Sequence, residues 1–568
     1  MSANDVDNNE VFVYMGGEGG ERVPRDVVRA RVHPSVTRIS AEAFRDCIKL
    51  VEVNLCEGLL EIGLGAFRGC NALKIINIPS TVRAINDGAF HYCQQLEEVK
   101  FCEGLQEIRD EAFWNCRALK HITLPSTVKN IGSRGFSMSG LRSLNLPDSI
   151  ESIGSYSFAT CEFTSCRIPP LMTSISRAMF SLCGCMFSTE LPEYVTNIET
   201  YAFSLCYSLR NVTIPPNSEL GTGVFDDCTD LRKIFEFGTY NITHALKHRF
   251  DNLPIHKMIY YQSYNNLTSD QLDDATNMRP ILGMVDPSGK LQDCLGMTPL
   301  HILACSTVQD IGLYQVLVKM YPENLIIEDE WGALPLLYAL WGNAPTEVVQ
   351  FMIESYQIIY PCYQFNWTMM VETLGKASSL EVVQNLLDVQ RGSFPEQSID
   401  WDQVLANLAR GGKRHEPCAT DDVFKFLIKY SISTRLGAIG LKIWREDVSH
   451  TIENMPLRMK KDGKGNAPSR SAPLNEIQSK LARYEVECHK LKEATSMLEL
   501  VMWKFKINES MLDLRLWKSK INESNSIKTE GRESKQLKVD AAFARSQCRV
   551  NCGADIIIEN VLPYLLRY

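Results

Sequence analysis

No run of eighteen apolar residues occurs in the chain. The strongest candidate, "WGALPLLYALWG" from Trp331, is too short to cross a bilayer. The opening stretch, "MSANDVDNNE", has neither the basic start nor the apolar core of a secretory signal. An excess of positive charge is missing too. The net charge is −9, which argues against a nucleic-acid binder. The P-loop, H-E-x-x-H, G-x-S-x-G and the Rossmann glycine fingerprint are all absent. "YMGGEGGER" is rich in glycine, but "VPRDV" follows it and brings no phosphate-binding lysine. The expectation is a cytoplasmic protein with no enzymatic activity, no cofactor, no metal and no membrane contact. Local Lys and Arg clustering after residue 455 adds nuclear import as a second expectation.

Cysteine, by contrast, is abundant, with 19 residues in 568. In a long chain without an export signal, reduced thiols are expected rather than disulfides. On the same grounds the Asn-x-Ser/Thr triplets at Asn211, Asn241, Asn266 and Asn366 are chance matches.

The cysteines are not scattered. Phenylalanine recurs at Phe44, Phe67, Phe90, Phe113, Phe136, Phe158, Phe180, Phe203 and Phe225, at intervals of 22 or 23 residues. An isoleucine stands five residues before each of the first eight, from Ile39 to Ile198. A cysteine stands three residues after all but one; Ser139 is the exception. A short alternating run follows, such as "LKHITL" (Leu119 to Leu124), and proline often closes it, as at Pro79, Pro125 and Pro147. Period two reads as a strand. A single copy cannot enclose its own apolar residues, but stacked copies align like residues into columns. The spacing therefore predicts a solenoid, with parallel strands roughly 4.8 Å apart and proline ending each strand.

In such a stack the thiols point the same way. A disulfide needs converging side chains, and a metal site needs ligands from different directions. The column is read as structural, with cysteine as a small buried hydrophobe and weak donor. The C-x-C of Cys183 and Cys185 has no second pair nearby in sequence.

The pattern Ile-x-x-x-x-Phe-x-x-Cys-x-x-Leu-x-x-Val-x-Leu-Pro resembles the BspA-like leucine-rich repeat over about residues 31–238. The resemblance implies a curved parallel sheet with a concave, protein-binding face and no common catalytic residue; some members are cell-surface antigens. Cys166 and Thr189 replace the strand valine, which leads to an expected irregularity around Cys161 and Cys183. The outward strand positions form the candidate partner-binding face: Glu52, Asn54, Asn77, Glu98, Lys100, His121, Thr123, Asn145, Arg167, Glu190 and Asn211. This ladder is mixed in sign and lacks an aromatic platform, so stacking of oligonucleotide bases is not expected. A protein or peptide partner suits it. The competing reading is a merely solvated face.

Beyond residue 238 the period is lost and helical patterning begins. "HALKHRF" sets His244 and His248 four apart, but Ala245 stands where a metal-hydrolase helix carries glutamate. A second repeat follows. "DCLGMTPLHILA" (Asp293 to Ala304) is answered 36 residues later by "DEWGALPLLYAL" (Asp329 to Leu340). Thr298 before Pro299 is a good helix start. "TPLH" at this spacing resembles the ankyrin repeat, which implies helix pairs that bind protein. The rings of the segments "WGALPLL" and "WTMMVETL" are expected in the core.

The expected architecture is thus an α/β leucine-rich-repeat solenoid, then an all-α ankyrin-like region, then a long C-terminal helix or coiled coil. The boundaries are an N-terminal segment and cap (1–30), the solenoid (31–238), a helical connector (239–290), ankyrin-like repeats (291–455), a basic flexible linker (456–473), an amphipathic helix (474–525) and a tail with a short helix (526–568). From Leu474 to Phe505 apolar residues follow 3-4 spacing. This seam predicts either a homodimer through 474–525 or a helix folded against its own chain. Cys548 and Cys552, four apart in the tail, are read as structural. The functional expectation is a non-catalytic interaction scaffold. The alternatives are a surface recognition or adhesion protein of the BspA-like type, and an enzyme built in the helical middle on His301 and Asp293.

Overall fold

The computed structural model describes residues 11–17, 23–235, 239–265, 287–409, 419–454, 470, 473–486, 489, 490 and 493. Most of the basic linker, the seam beyond residue 493, and the tail with Cys548 and Cys552 lie outside these residues. The chain divides into two compact units, Met1–Phe424 and Lys425–Tyr568.

The N-terminal part is a parallel solenoid. Strand pairs throughout it run parallel, and the nine phenylalanines form one column. Neighbouring rings lie 4.9 Å apart at Phe44–Phe67 and 5.2 Å at Phe113–Phe136, stacked within 17° of parallel. The column continues to Phe203–Phe225 at 5.8 Å. Tyr14, on the strand Val11–Tyr14, closes its upper end against Phe44 at 5.3 Å. The isoleucines line a second ladder. Two-residue strands from Arg38–Ile39 to Ser152–Ile153 pair in register as a six-stranded sheet.

Each phenylalanine sits in a turn with an alternating backbone. The residues two before and two after it have positive φ in all nine copies; Glu111 (55°) and Asn115 (61°) flank Phe113. Most of these residues are not glycine, and a left-handed residue with a side chain costs on the order of 1 kcal/mol. The geometry is held because it aims alternate N–H groups at the next rung. Glu111, Phe113 and Asn115 donate to Ser133, Gly135 and Ser137 at 2.8–2.9 Å, while Trp114 turns back to its own Glu111. The turns around the phenylalanines are therefore a third hydrogen-bonded wall.

The alternating runs pair less completely than the sequence predicts. Ile75–Ile78 pairs with Glu98–Phe101, and Ser165–Arg167 with Ser188–Glu190. Between them, residues 121–124 and 143–146 are not strands. This opening coincides with the missing cysteine. Ser139 donates to Phe136 of its own turn at 2.6 Å, so it does not tie its rung to the one before. Ring spacing then rises to 5.7 Å at Phe136–Phe158 and 6.1 Å at Phe158–Phe180. The expected irregularity around Cys161 is present. The isoleucine ladder breaks between Ser152–Ile153 and Ser174–Ile175, and Phe163 fills the gap edge-on to Phe158 and Phe180.

After the short helix Thr229–Ile234 the fold is helical. Short and longer helices alternate: Pro299–Cys305 and Ile311–Met320, Pro335–Trp341 and Thr346–Ile359, Trp367–Ala377 and Leu380–Ser393, then Trp401–Ala409. Apolar faces such as Leu313, Leu317, Val348, Met352, Leu386 and Leu387 are buried between them. Trp341 and Trp367 are core residues, while Trp331 is half-buried. The helix Asp421–Asp447 begins in the first unit and continues in the second. In the second unit residues 473–486 are helical. The seam residues Leu474, Ile477, Leu481 and Tyr484 are buried there, and Arg435 pairs with Glu485. This part of the heptad seam is buried within the chain.

A partly covered face on the solenoid

The cysteine column is chemically quiet. Cys70, Cys93, Cys116, Cys183, Cys206 and Cys228 each donate the thiol hydrogen to the phenylalanine carbonyl one rung earlier, at 3.1–3.3 Å. All are fully buried. Burial pushes the Cys161 and Cys228 thiols up to about 12, so neither is a nucleophile near neutral pH. None of the fifteen described cysteines is in a disulfide. Among the described residues, no group of three His, Cys, Asp or Glu side chains is placed to hold a metal.

The eleven predicted face residues fall into three groups. Glu52, Asn54, Asn77, Glu98, Lys100, His121, Thr123 and Asn145 are exposed. They are only loosely tied: Asn54 to Glu52 at 3.0 Å, Lys100 to Glu98 at 3.5 Å, His121 to Ser143 at 3.1 Å. Exposed pairs of this kind contribute at most about 1 kcal/mol. Arg167 is half-buried and held by Asp148 at 2.6 Å.

Glu190 and Asn211 are corrections to the expected face. They are 2% and 1% exposed, because the chain's own helical region lies over these rungs. Glu190 accepts from the backbone N–H and hydroxyl of Thr307, both at 3.0 Å. Asn211 accepts from Arg249 at 2.7 Å. Arg249 also donates to the Val212 carbonyl and to Thr213, and its Nε pairs with Asp293 at 2.8 Å. Neither side chain of that ion pair reaches solvent. Tyr260, on the helix Pro254–Asn265, places its hydroxyl between two rungs. It donates to the Thr189 carbonyl and accepts from the Leu191 and Thr213 N–H groups. Nothing in the alternating pattern signals this cover, since it depends on residues 38 to 117 positions away in sequence.

The open rungs differ in one respect. The backbone groups of residues 121–124 and 143–146 make no hydrogen bond to any described residue. They stand beside the exposed side chains of His121, Thr123, Ser143 and Asn145.

His301 and Asp293, the proposed enzymatic pair, have structural roles. Asp293 accepts from the Leu295 and Met297 N–H groups as well as from Arg249. Asp329 repeats the loop with Trp331 and Ala333, and Gly296 and Gly332 share a φ near 71–73°. His301 is fully buried, caps Thr298, and reaches the Ala333 carbonyl at 3.1 Å. It thereby ties the first helix pair to the second. Near the end of the solenoid, Arg210 lies between Trp331 and Trp341 and pairs with Asp230 at 2.8 Å. Burial works against the Asp230 charge, but Arg210 and Lys233 hold its carboxyl below the usual range. The His244 and His248 rings lie 4.5 Å apart, tilted by 40°, with His248 on Asp251.

Residues 28–142 and 129–254 match the BspA type leucine rich repeat region, in six copies. The N-terminal solenoid resembles that repeat in sequence and has the parallel stack the resemblance implied. The match covers less than half of the 568 residues and stops before the helix pairs. No curated protein matches the chain. Among solved structures, a leucine-rich repeat protein from Bacteroides ovatus is 35% identical, over 29% of this chain and 43% of that one, with a TM-score of 0.28. The pneumococcal vaccine antigen PcpA is 22% identical, over 38% and 63%, with a TM-score of 0.29. The leucine-rich repeat protein of T. pallidum is 24% identical, over 37% and 83%, with a TM-score of 0.21. The chain thus spans less than two thirds of the first two. Among the described residues, no helix is long and apolar enough to cross a membrane.

Proposed function

We propose that the chain is a non-catalytic interaction scaffold that binds a protein or peptide across the open solenoid rungs from Glu52 to Asn145. The observation that carries this reading is the exposed, loosely paired polar ladder itself. It ends where the chain's own helices already lie against the same wall. The wall therefore accepts polypeptide at one end and is free at the other. The helix pairs between Pro299 and Ala409 are a second module in the proposal, with ankyrin-like stacking and a second protein-binding surface. A dimer through residues 474–525 draws no support from the described part of that seam, which is filled within the chain.

The test is affinity capture with the full chain and with a Glu98→Ala, Lys100→Ala, His121→Ala variant. A specific partner lost with the variant supports the face. Equal capture by both transfers the role to the helix pairs. A cytoplasmic setting is part of the proposal. The BspA-type match favours a second reading, recognition at a cell surface. Fractionation of cells with a tagged full chain separates the two.

A further inference from the structure

The covered rungs show what kind of polypeptide this wall accepts. At the Thr189 and Thr213 rungs the two runs share the bonds from Arg210 and Asn211 N–H to the Phe187 carbonyl, at 2.9 and 2.8 Å, and diverge after a last one, Thr189 N–H to the Asn211 carbonyl at 3.0 Å. The Tyr260 hydroxyl occupies the split. It bridges the Thr189 carbonyl and the Thr213 N–H, and reaches the Leu191 N–H as well. Arg249 then binds the neighbouring row through Asn211, the Val212 carbonyl and Thr213. The guanidinium lies 5.8 Å from the Tyr260 ring centre, so the two act as one stacked probe.

The open rungs present the same places unfilled. By repeat position, Ile122, Leu124 and Asn145 correspond to Thr189, Leu191 and Thr213. Ser143, Leu144 and Asn145 correspond to Asn211, Val212 and Thr213. The backbone groups of these open residues have no partner among the described residues, and Thr123, Ser143 and Asn145 are exposed beside them. A split ladder with free donors and acceptors is a hydrogen-bonding template. We infer that the split between residues 121–124 and 143–146 receives a segment of a partner protein that presents a tyrosine hydroxyl backed by an arginine, imitating Tyr260 and Arg249. The inference rests on the proposed protein-binding role of the open rungs and adds the chemistry of the partner. The site lies on the same wall as an interface the chain already makes with itself, with only the Ser165–Arg167 rung between them, which is why polypeptide is its occupant.

The full chain supplies the test, because its own covered rungs are closed. The probe is a fluorescent peptide of residues 247–263, which carries Arg249 and Tyr260, read by anisotropy against the full chain. Saturable binding is expected, weakened about tenfold when the peptide carries Tyr260→Phe, the size of one buried hydrogen bond. A comparable loss is expected for Arg249→Lys, which keeps the charge and removes the fork. Thr123→Arg in the protein, at an exposed position, is expected to abolish binding with an unchanged melting curve. Binding that ignores the peptide changes but is lost with Thr123→Arg overturns the Tyr–Arg chemistry and leaves the protein-binding role standing. Absence of any binding, or binding indifferent to Thr123→Arg, overturns the site. Concentration-dependent dimerisation abolished by Thr123→Arg assigns the rungs to a second copy and overturns the partner.

Discussion

Cys93 donates its thiol hydrogen to the carbonyl of Phe67, 26 residues earlier and one rung away, at 3.1 Å. The same bond recurs along the column, so the thiol is both filler and tether. Burial raises the pKa of Cys93 well above its ordinary value. At pH 8 the folded protein is therefore expected to expose only surface thiols such as Cys102 and Cys362 to alkylation. The column should label only after denaturation. Mass spectrometry of the labelled peptides checks this; rapid labelling of Cys93, Cys116 or Cys206 in the native protein contradicts the column.

The phenylalanine stack predicts a gradient of stability. Phe113 has a stacked neighbour on each side, at 5.1 and 5.2 Å. Phe113→Ala is expected to cost about 3–5 kcal/mol, as a large cavity in a tight core. Phe225, 5% exposed at the end of the column, should cost less. Urea titrations of the two variants compare them directly.

Arg249 and Asp293 form an ion pair with no solvent access. Removing one partner leaves a buried charge alone and is expected to cost about 3–5 kcal/mol. Arg249→Met and Asp293→Leu together should recover part of that loss. A double-mutant cycle by denaturant unfolding measures the coupling. Additive losses would show that the two side chains are not energetically coupled.

His256 lies fully buried on the helix Pro254–Asn265. Burial is the main cause that lowers its pKa from 6.5 to about 4, with Asp293 opposing and Arg249 assisting. The unfolded chain therefore binds a proton more readily than the folded one between those values. Stability is full above pH 6.5 and falls as pH drops toward 4, by about 3 kcal/mol from this one residue. A His256→Leu variant should show a flatter stability profile between pH 7 and 4 than the parent.

Much of the solenoid was legible because each rung repeats the same local problem. Phe, Ile and Cys recur at fixed spacing, and only stacking buries them all. The left-handed turns were not legible. Tyr92 and Leu205 have no intrinsic preference for positive φ, yet both adopt it, at 63° and 62°. The inter-rung ladder of hydrogen bonds holds that conformation. The open strand rungs at 121–124 and 143–146 were equally hidden. Their alternation is as regular as that of their neighbours, and the break follows from how successive rungs are tied.

The amino-acid sequence by itself determined the stacking repeat, the chemistry of each column, and the polar character of the strand face. It did so because periodicity and burial are local properties repeated along the chain. Only the tertiary structure decided how much of that face stays free. Glu190 and Asn211 carry the same outward pattern as Asn77 and Lys100, but Thr307 and Arg249 arrive from distant segments to cover them. Which polar groups end up buried is set by long-range packing, and no periodicity within the strands encodes it.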